Sequence, residues 1–364
     1  MLRAALIGFS STGKTTLFQL MTSAHEAPRG RGDVTLGISR VPDARLDALT
    51  AMYNPRKHVP ATVEFTDLAA AAHAASGAQA LLDVAAYRNA DALVHVVRAF
   101  RSPAVPHPSG TIDPARDVQA MEAELILADL GVAERRLERL EKDLKKTRSP
   151  ELEKERDLLQ RCRQALEDGT PLRALEITSD DVRRLRGFQL LSAKPLLLVI
   201  NLDEADVPAI GSSVERAADQ TGLGGLLAHA ATGAVALCAT IELEISRLEP
   251  ADAAAFLGDL GLTESGLDRV IRASYDLLGY ISFFTVGEDE CRAWSIARGT
   301  SAQLAAGEIH SDIERGFIRA EVVPYDALVA RGSMHACREH GEVRLEGKDY
   351  VVQDGDIINF RFAT

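Results

Sequence analysis

Two glycines, a lysine and a threonine near the N-terminus stand at the spacing that phosphate binding requires. Gly8-Phe9-Ser10-Ser11-Thr12-Gly13-Lys14-Thr15 satisfies G-x-x-x-x-G-K-[ST]. In such a loop the backbone N–H groups and the following helix N-terminus face an anion. Lys14 adds a point charge, and the Thr15 hydroxyl can ligate Mg²⁺. Ser10, Ser11, Thr12, Gly13, Lys14, Thr15 and Thr16 are the expected nucleotide contacts, with Lys14 and Thr15 as the pair that would act on the transferring phosphate. Asp67 ends the alternating run Ala61-Thr62-Val63-Glu64-Phe65-Thr66-Asp67, as suits the acid that phosphate-loop enzymes place beside Mg²⁺. Thr35 follows a polar, glycine-rich stretch, His25 to Asp33, and is either a third ligand reaching metal and γ-phosphate or an ordinary surface threonine.

These residues need a frame. Leu2 to Ile7 reads as a buried strand and Lys14 to Met21 as a helix with an apolar stripe, so the loop lies between a strand and a helix. A chance match in a loop of small residues is the alternative, and the flanking elements oppose it. Further strands are expected at Asp91 to Arg98, Lys194 to Ile200 and Ala234 to Thr240, which gives five strand signals in an order that predicts a parallel α/β domain. His95 and His107 read as a core-edge residue and a loop residue rather than as catalysts. After the late strand, Asn201-Leu202-Asp203-Glu204 stands where GTPases read guanine with N-K-x-D. Leu202 takes the place of the lysine that covers the ring. Glu204 takes the place of the aspartate, one methylene too long to meet the same base edge. Asn201 can still pair with a purine edge, including N6/N7 of adenine, so ATP is expected over GTP. Cys238 and Ala239 lie in the expected base-side loop. Asp67-Leu68-Ala69-Ala70 stands where GTPases carry D-x-x-G, with Ala71 at the place of a water-positioning glutamine. The alanine run from Ala69 to Ala75 predicts a stiff helix that responds weakly to the γ-phosphate.

From about Arg116 to Arg173 the pattern changes. Leu130, Leu137, Leu140 and Leu144 step by seven, three and four, and Leu152, Leu159, Cys162 and Leu166 repeat those steps beyond Ser149-Pro150. This predicts an antiparallel helical hairpin, with Ser149 as N-cap, Pro150 at N1 and Cys162 in the seam. Its basic excess collects at the tip in Lys145, Lys146 and Arg148, either a solvated turn or a contact for RNA or protein. A helix from Thr263 to Leu278 stops at Gly279, and short strands follow, as in a small α+β module. The expected division is residues 1–115 and 193–279 for the phosphate-loop domain, 116–192 for the helical insertion, and 280–364 for the C-terminal domain.

Composition narrows the class. A net charge of −12 argues against a general nucleic-acid binder, and no DNA partner is expected. The last 84 residues carry 9 basic and 14 acidic side chains, which also disfavours broad electrostatic RNA binding there. No window approaches the ~18 uninterrupted apolar residues of a membrane span. The phosphate loop lies too near the N-terminus for a signal to be cleaved without destroying it, and the four cysteines lack C-x-x-C spacing. A reduced, cytoplasmic protein without a cysteine-bound metal is expected.

The whole pattern resembles the Obg-like ATPases of the YchF type. The likeness runs through the phosphate loop, Val41-Pro42-Asp43, Val63 to Asp67, the coiled-coil insertion and Asn201 to Glu204. Its most specific part is C-terminal: Phe284 to Gly287, Arg292-Ala293-Trp294, Ala305 to His310, Gly316 to Glu321 and Arg344 to Asp356. The resemblance implies a phosphate-loop NTPase domain of Rossmann-like α/β type, an inserted coiled-coil hairpin and a C-terminal β-grasp domain of the TGS type. It also implies ATP preference over GTP and association with the ribosome or its RNA. Slow Mg²⁺-dependent hydrolysis is expected on the residues themselves: Lys14, Thr15 and Mg²⁺ supply positioning and charge neutralisation, and no water-positioner or arginine finger is identifiable. The chain departs from the family where Pro-Asn of the usual loop is Ser10-Ser11. That asparagine is the ligand implied for an activating K⁺, so potassium dependence is not carried over.

Overall fold

Leu2–Ile7 forms β1, and Lys14–Thr22 forms helix α1, which buries Leu17, Phe18 and Met21. The computed structural model describes residues 2–22, 29–31, 34–68, 85–147 and 149–363. The predicted alanine helix from Ala69 to Ala75 and most of the stretch from His25 to Asp33 lie outside the described residues. Two units result: Met1–Ser39 with Glu64–Leu277, and Arg40–Val63 with Leu278–Thr364.

The first sheet has the order β2-β3-β5-β1-β6-β7-β8. Its further strands are β2 (Arg29–Arg31), β3 (Val34–Arg40), β5 (Thr62–Leu68), β6 (Ala92–Ala99), β7 (Leu196–Leu202) and β8 (Thr232–Leu237). β1, β6, β7 and β8 run parallel, with Arg98 in register with Asn201. Being covered on both faces, β6 and β7 are buried nearly throughout and mostly apolar rather than alternating, as parallel interior strands are, with His95, Arg98 and Asn201 as the polar exceptions. Their carboxyl ends therefore line up at one edge, where α/β sheets carry ligands.

The arm consists of the helices Pro114–Lys146 and Pro150–Glu167. Leu137, Leu140, Leu159, Cys162 and Leu166 are buried in its seam, with Leu130 and Leu152 at the margin, so the heptad reading holds except at Leu144 near the tip, which is not part of this core. Pro150 occupies the first turn as expected, but Ser149 makes no side-chain cap bond. Lys145 and Lys146 close the first helix, and Arg148 lies outside the described residues. Burial pushes the Cys162 thiol up to about 11, which makes it an inert core group.

Asp129 ties the arm to the sheet. Fully buried, it accepts hydrogen bonds from Leu191 N (2.8 Å), Ser192 N (2.7 Å) and Ser192 Oγ (2.7 Å), just before β7. Asp129→Ala strands two buried N–H groups and is expected to cost about 3–5 kcal/mol, read as a fall in the denaturation midpoint with an unchanged slope. A loss below 1 kcal/mol would show that the carboxylate is dispensable.

The second sheet has the order β12-β11-β13-β9-β10-β4, with β4 Lys57–Val59, β9 Tyr280–Thr285, β10 Glu290–Ala297, β11 Phe317–Pro324, β12 Arg344–Glu346 and β13 Asp356–Phe362. Phe283 centres its core, stacked on Trp294 at 6.4 Å and edge-on to Phe360 at 5.9 Å. Helices pack on this mixed sheet as in a β-grasp module.

The expected division placed residues 40–63 in the first domain, whereas here they build into the second unit. Helix α2 (Ala44–Tyr53) buries Leu46 and Leu49, and β4 pairs parallel with β10, His58 opposite Cys291. Arg45 donates to Asp354 (2.8 Å) while holding Asp43, the N-cap of α2. Strand pairing and apolar burial place the segment there, and neither leaves a local mark in its sequence.

Candidate nucleotide site

The phosphate loop is built on positions that admit little besides glycine. Gly8 has φ +138°, and a Cβ there would lie 2.6 Å from the Val96 carbonyl; Gly13 has φ +99°, and its Cβ would meet Asn201 Nδ2 at 2.6 Å. Ser11 also has positive φ (+64°), a left-handed conformation that a serine holds at some cost. Successive N–H groups in such a run form a concave anion site. Thr12 is buried, and its Oγ1 donates to Phe9 O at 3.2 Å.

Lys14 is 6 % exposed and donates from Nζ to Gly8 O (2.9 Å) and Phe9 O (2.7 Å). Desolvation pushes it down to about 8 against the opposing pull of the Asp67 carboxylate. Desolvation, with Lys14 nearby, also pushes His95 down to about 3 and keeps its ring neutral. Thr15 and Thr16 are exposed in the first turn of α1. Asp67 is buried near the end of β5. One exposed hydroxyl and one buried carboxylate near the lysine are hard oxygen donors of the kind that suits Mg²⁺. Thr35 is placed in β3, opposite Gly30 of β2.

Asn201 is 2 % exposed and spans two loops. Its Nδ2 donates to Thr12 O at 3.0 Å and its Oδ1 accepts from Ala239 N at 3.0 Å, so it joins the phosphate loop to the loop after β8. Half of its side-chain bonding capacity is thus committed to backbone, leaving one N–H and one Oδ1 lone pair on a buried side chain. Leu202 is 1 % exposed among Leu198 and Ile200, which places it in the core rather than over a base. Asp203 caps the turn that follows, accepting from Arg101 N and Ala205 N, and Glu204 is exposed beside it. Cys238 is buried at the N-cap of the helix Ala239–Ile245. His107 is a loop residue as expected, but a buried one, with Nε2 2.9 Å from Asp117 Oδ2.

Sequence reading passed over Arg98. It is fully buried at the end of β6 and donates to Ser11 O (3.4 Å), Phe100 O (3.2 Å) and Val105 O (2.7 Å). A charged residue near the end of an apolar strand was the local signal available.

Likeness to known proteins runs the length of the chain. A "Ribosome-binding ATPase YchF" of Bacillus subtilis (strain 168) is 42% identical to the chain over 369 residues, covering 99% of both. The chain belongs to the YchF family of Obg-like ATPases. The Escherichia coli O157:H7 protein of the same name is 35% identical with 99% of each chain covered, and "Obg-like ATPase 1" of Oryza sativa subsp. japonica is 33% identical over 99% of this chain and 92% of its own. The family model YchF-GTPase_C, described as "Protein of unknown function (DUF933)", matches residues 280–363. A solved structure, that of the Schizosaccharomyces pombe YchF GTPase, superposes with a TM-score of 0.84 at 28% identity, covering 99% of this chain and 97% of that one. The family fold is thus a phosphate-loop NTPase with helical and C-terminal domains.

No helix among the described residues is long and apolar enough to cross a membrane.

Proposed function

We propose that the chain binds Mg²⁺·ATP at the Gly8–Thr15 loop and hydrolyses it slowly, as a cytoplasmic ATPase that associates with the ribosome or its RNA. The observation that carries this reading is the buried Lys14 held over two glycine-dependent turns beside Asp67. When bound, Mg²⁺ supplies charge neutralisation between the phosphates, and Thr15 with Asp67 are the residues that would hold it, Thr35 being a third candidate. Lys14 exchanges two carbonyl partners for phosphate oxygens, so its charge is kept in place before nucleotide arrives. The Thr12 and Gly13 N–H groups line the loop, and Asn201 fixes it against Ala239. Glu204 with Asn201 would read adenine. With no arginine finger assigned in cis, and a finger worth ~10³-fold or more, turnover is expected to be slow. The relatives' names support the ATPase and ribosome readings, while the name of the fission-yeast structure supports GTP as the alternative substrate. An adaptor that binds nucleotide and hydrolyses little is the other alternative.

Equilibrium titration with ATP and GTP tests the base preference, and tighter binding of GTP would overturn it. Single-turnover hydrolysis with Mg²⁺, with and without K⁺ and ribosomes, tests the enzyme. Phosphate release equal in the parent and in Lys14→Ala would leave the adaptor reading. Failure to co-sediment with ribosomes at low salt would remove that partner.

The depressed Lys14 value sets two opposite pH trends. In the folded chain Lys14 titrates near 8 and in the unfolded chain near its ordinary 10.5, so between these values the unfolded state holds more protons. Stability of the nucleotide-free chain is expected to rise with pH across that window. ATP binding needs the charged form, so affinity is expected to fall above pH 8 over the same window. Parallel trends in melting and titration would contradict the assignment.

A further inference from the structure

The carboxyl ends of β6 and β7 each send one side chain to the phosphate loop. Arg98 and Asn201 are cross-strand partners, and they bind consecutive carbonyls: Arg98 Nη1 donates to Ser11 O (3.4 Å) and Asn201 Nδ2 to Thr12 O (3.0 Å). Arg98 is 1 % exposed. Its other donors go to Phe100 O and Val105 O, and its guanidinium lies 4.5 Å from the Phe100 ring centroid. Among the described residues no carboxylate forms an ion pair with it.

In a planar trans peptide the C=O and the next N–H point to opposite sides. Drawing the Ser11 and Thr12 carbonyls back towards β6 and β7 therefore turns the Thr12 and Gly13 N–H groups the other way, into the cradle. The contact also falls on Ser11, a non-glycine residue held at φ +64°. Such a conformation persists when its surroundings fix it. A buried guanidinium without a carboxylate further makes the cradle more positive, as phosphate requires.

We propose that Arg98 is a positioning residue for phosphate, which with Asn201 pre-forms the anion cradle of the Gly8–Thr15 loop and adds a buried positive charge behind it. The proposal rests on reading that loop as a nucleotide site. It assigns Arg98 no contact with the reacting atoms.

The test is ATP titration of the full chain carrying Arg98→Ala or Arg98→Lys, alongside the parent and Lys14→Ala. A charged hydrogen bond of this kind supports a loss of about 10–100-fold in affinity. Arg98→Lys keeps the charge but loses the three-way fork, and is expected to lose affinity too. Guanidinium ion added to Arg98→Ala is expected to restore ATP binding, while methylammonium is not. General damage to the fold would yield to neither ion. A folded Arg98→Lys that binds ATP within about threefold of the parent would overturn the proposal, as would rescue by both cations alike. If neither variant folds, the guanidinium NMR signals of Arg98 in the parent decide. They are expected to shift on ATP addition in the parent and not in Lys14→Ala, and an unmoved signal overturns the role. A parent chain that binds no ATP overturns the nucleotide reading itself and is distinguishable from all of these.

Discussion

Lys14→Met is expected to lower ATP affinity by about 10²–10³-fold while leaving the nucleotide-free chain about as stable as its parent. The affinity loss follows from removing one partner of a desolvated charge contact, which costs ~2–5 kcal/mol where solvent cannot compensate. The stability prediction balances two effects. Holding a charged Lys14 where it titrates near 8 instead of 10.5 costs roughly 3 kcal/mol at neutral pH, and methionine removes that cost. Against it, the Gly8 and Phe9 carbonyls lose a donor, at roughly 1–3 kcal/mol between them. Calorimetric titration reads the first effect and a melting curve the second. Parental affinity in Lys14→Met would remove the lysine from the site. A fall of ten degrees or so in the melting midpoint would show that the lysine is structural, since ~1 kcal/mol moves the midpoint of a chain this size by only a few degrees.

The second large effect concerns the cut between domains. A chain ended after Gly279 loses β9 to β13 but keeps α2 and β4, which belong with them. Leu46 and Leu49, 1 % and 0 % exposed in the whole chain, would then meet water, forfeiting about 1.5–3 kcal/mol each. The β4 backbone would become an unpaired edge. The truncated chain is expected to aggregate at concentrations where the parent stays in solution, and residues 40–63 to exchange their amide hydrogens without protection. Replacing Arg40–Val63 in the same truncation by a flexible linker is expected to restore solubility. A soluble, protected truncation would show that the segment folds without β10.

How much of this was legible beforehand varied with the range of the interaction. The backbone of the phosphate loop was legible, because its motif spans only eight residues and Gly8 and Gly13 answer a local demand for positive φ. The arm seam was legible for the same reason, since Leu137, Leu140, Leu159 and Cys162 repeat with the helical period. Arg98 was passed over because a strand-end arginine reads as a surface charge until β6 is known to lie beside the loop that needs it. Asp129 was passed over because its donors come from residues 191 and 192, far along the chain. Leu202 stands at the place of the lysine that covers the ring, but its side chain continues the buried run of a strand covered on both faces. Its burial depends on β7 lying inside the sheet, which the local sequence does not state.

The placement of β4 in the second sheet also sets an order of events during synthesis. His58 of β4 pairs with Cys291 of β10, roughly 230 residues later. At ~5–20 residues per second, the ribosome needs about 10–50 s to make the partner after the strand has emerged. The parallel strands β1, β6 and β7 can meet meanwhile, whereas α2 and β4 wait with an apolar face open. Loop closure over such a length is slow even once the partner exists. Holdase chaperones present during translation are therefore expected to raise the yield of soluble chain. That gain should vanish when Arg40–Val63 is replaced by a linker in the truncated chain, which leaves nothing to wait.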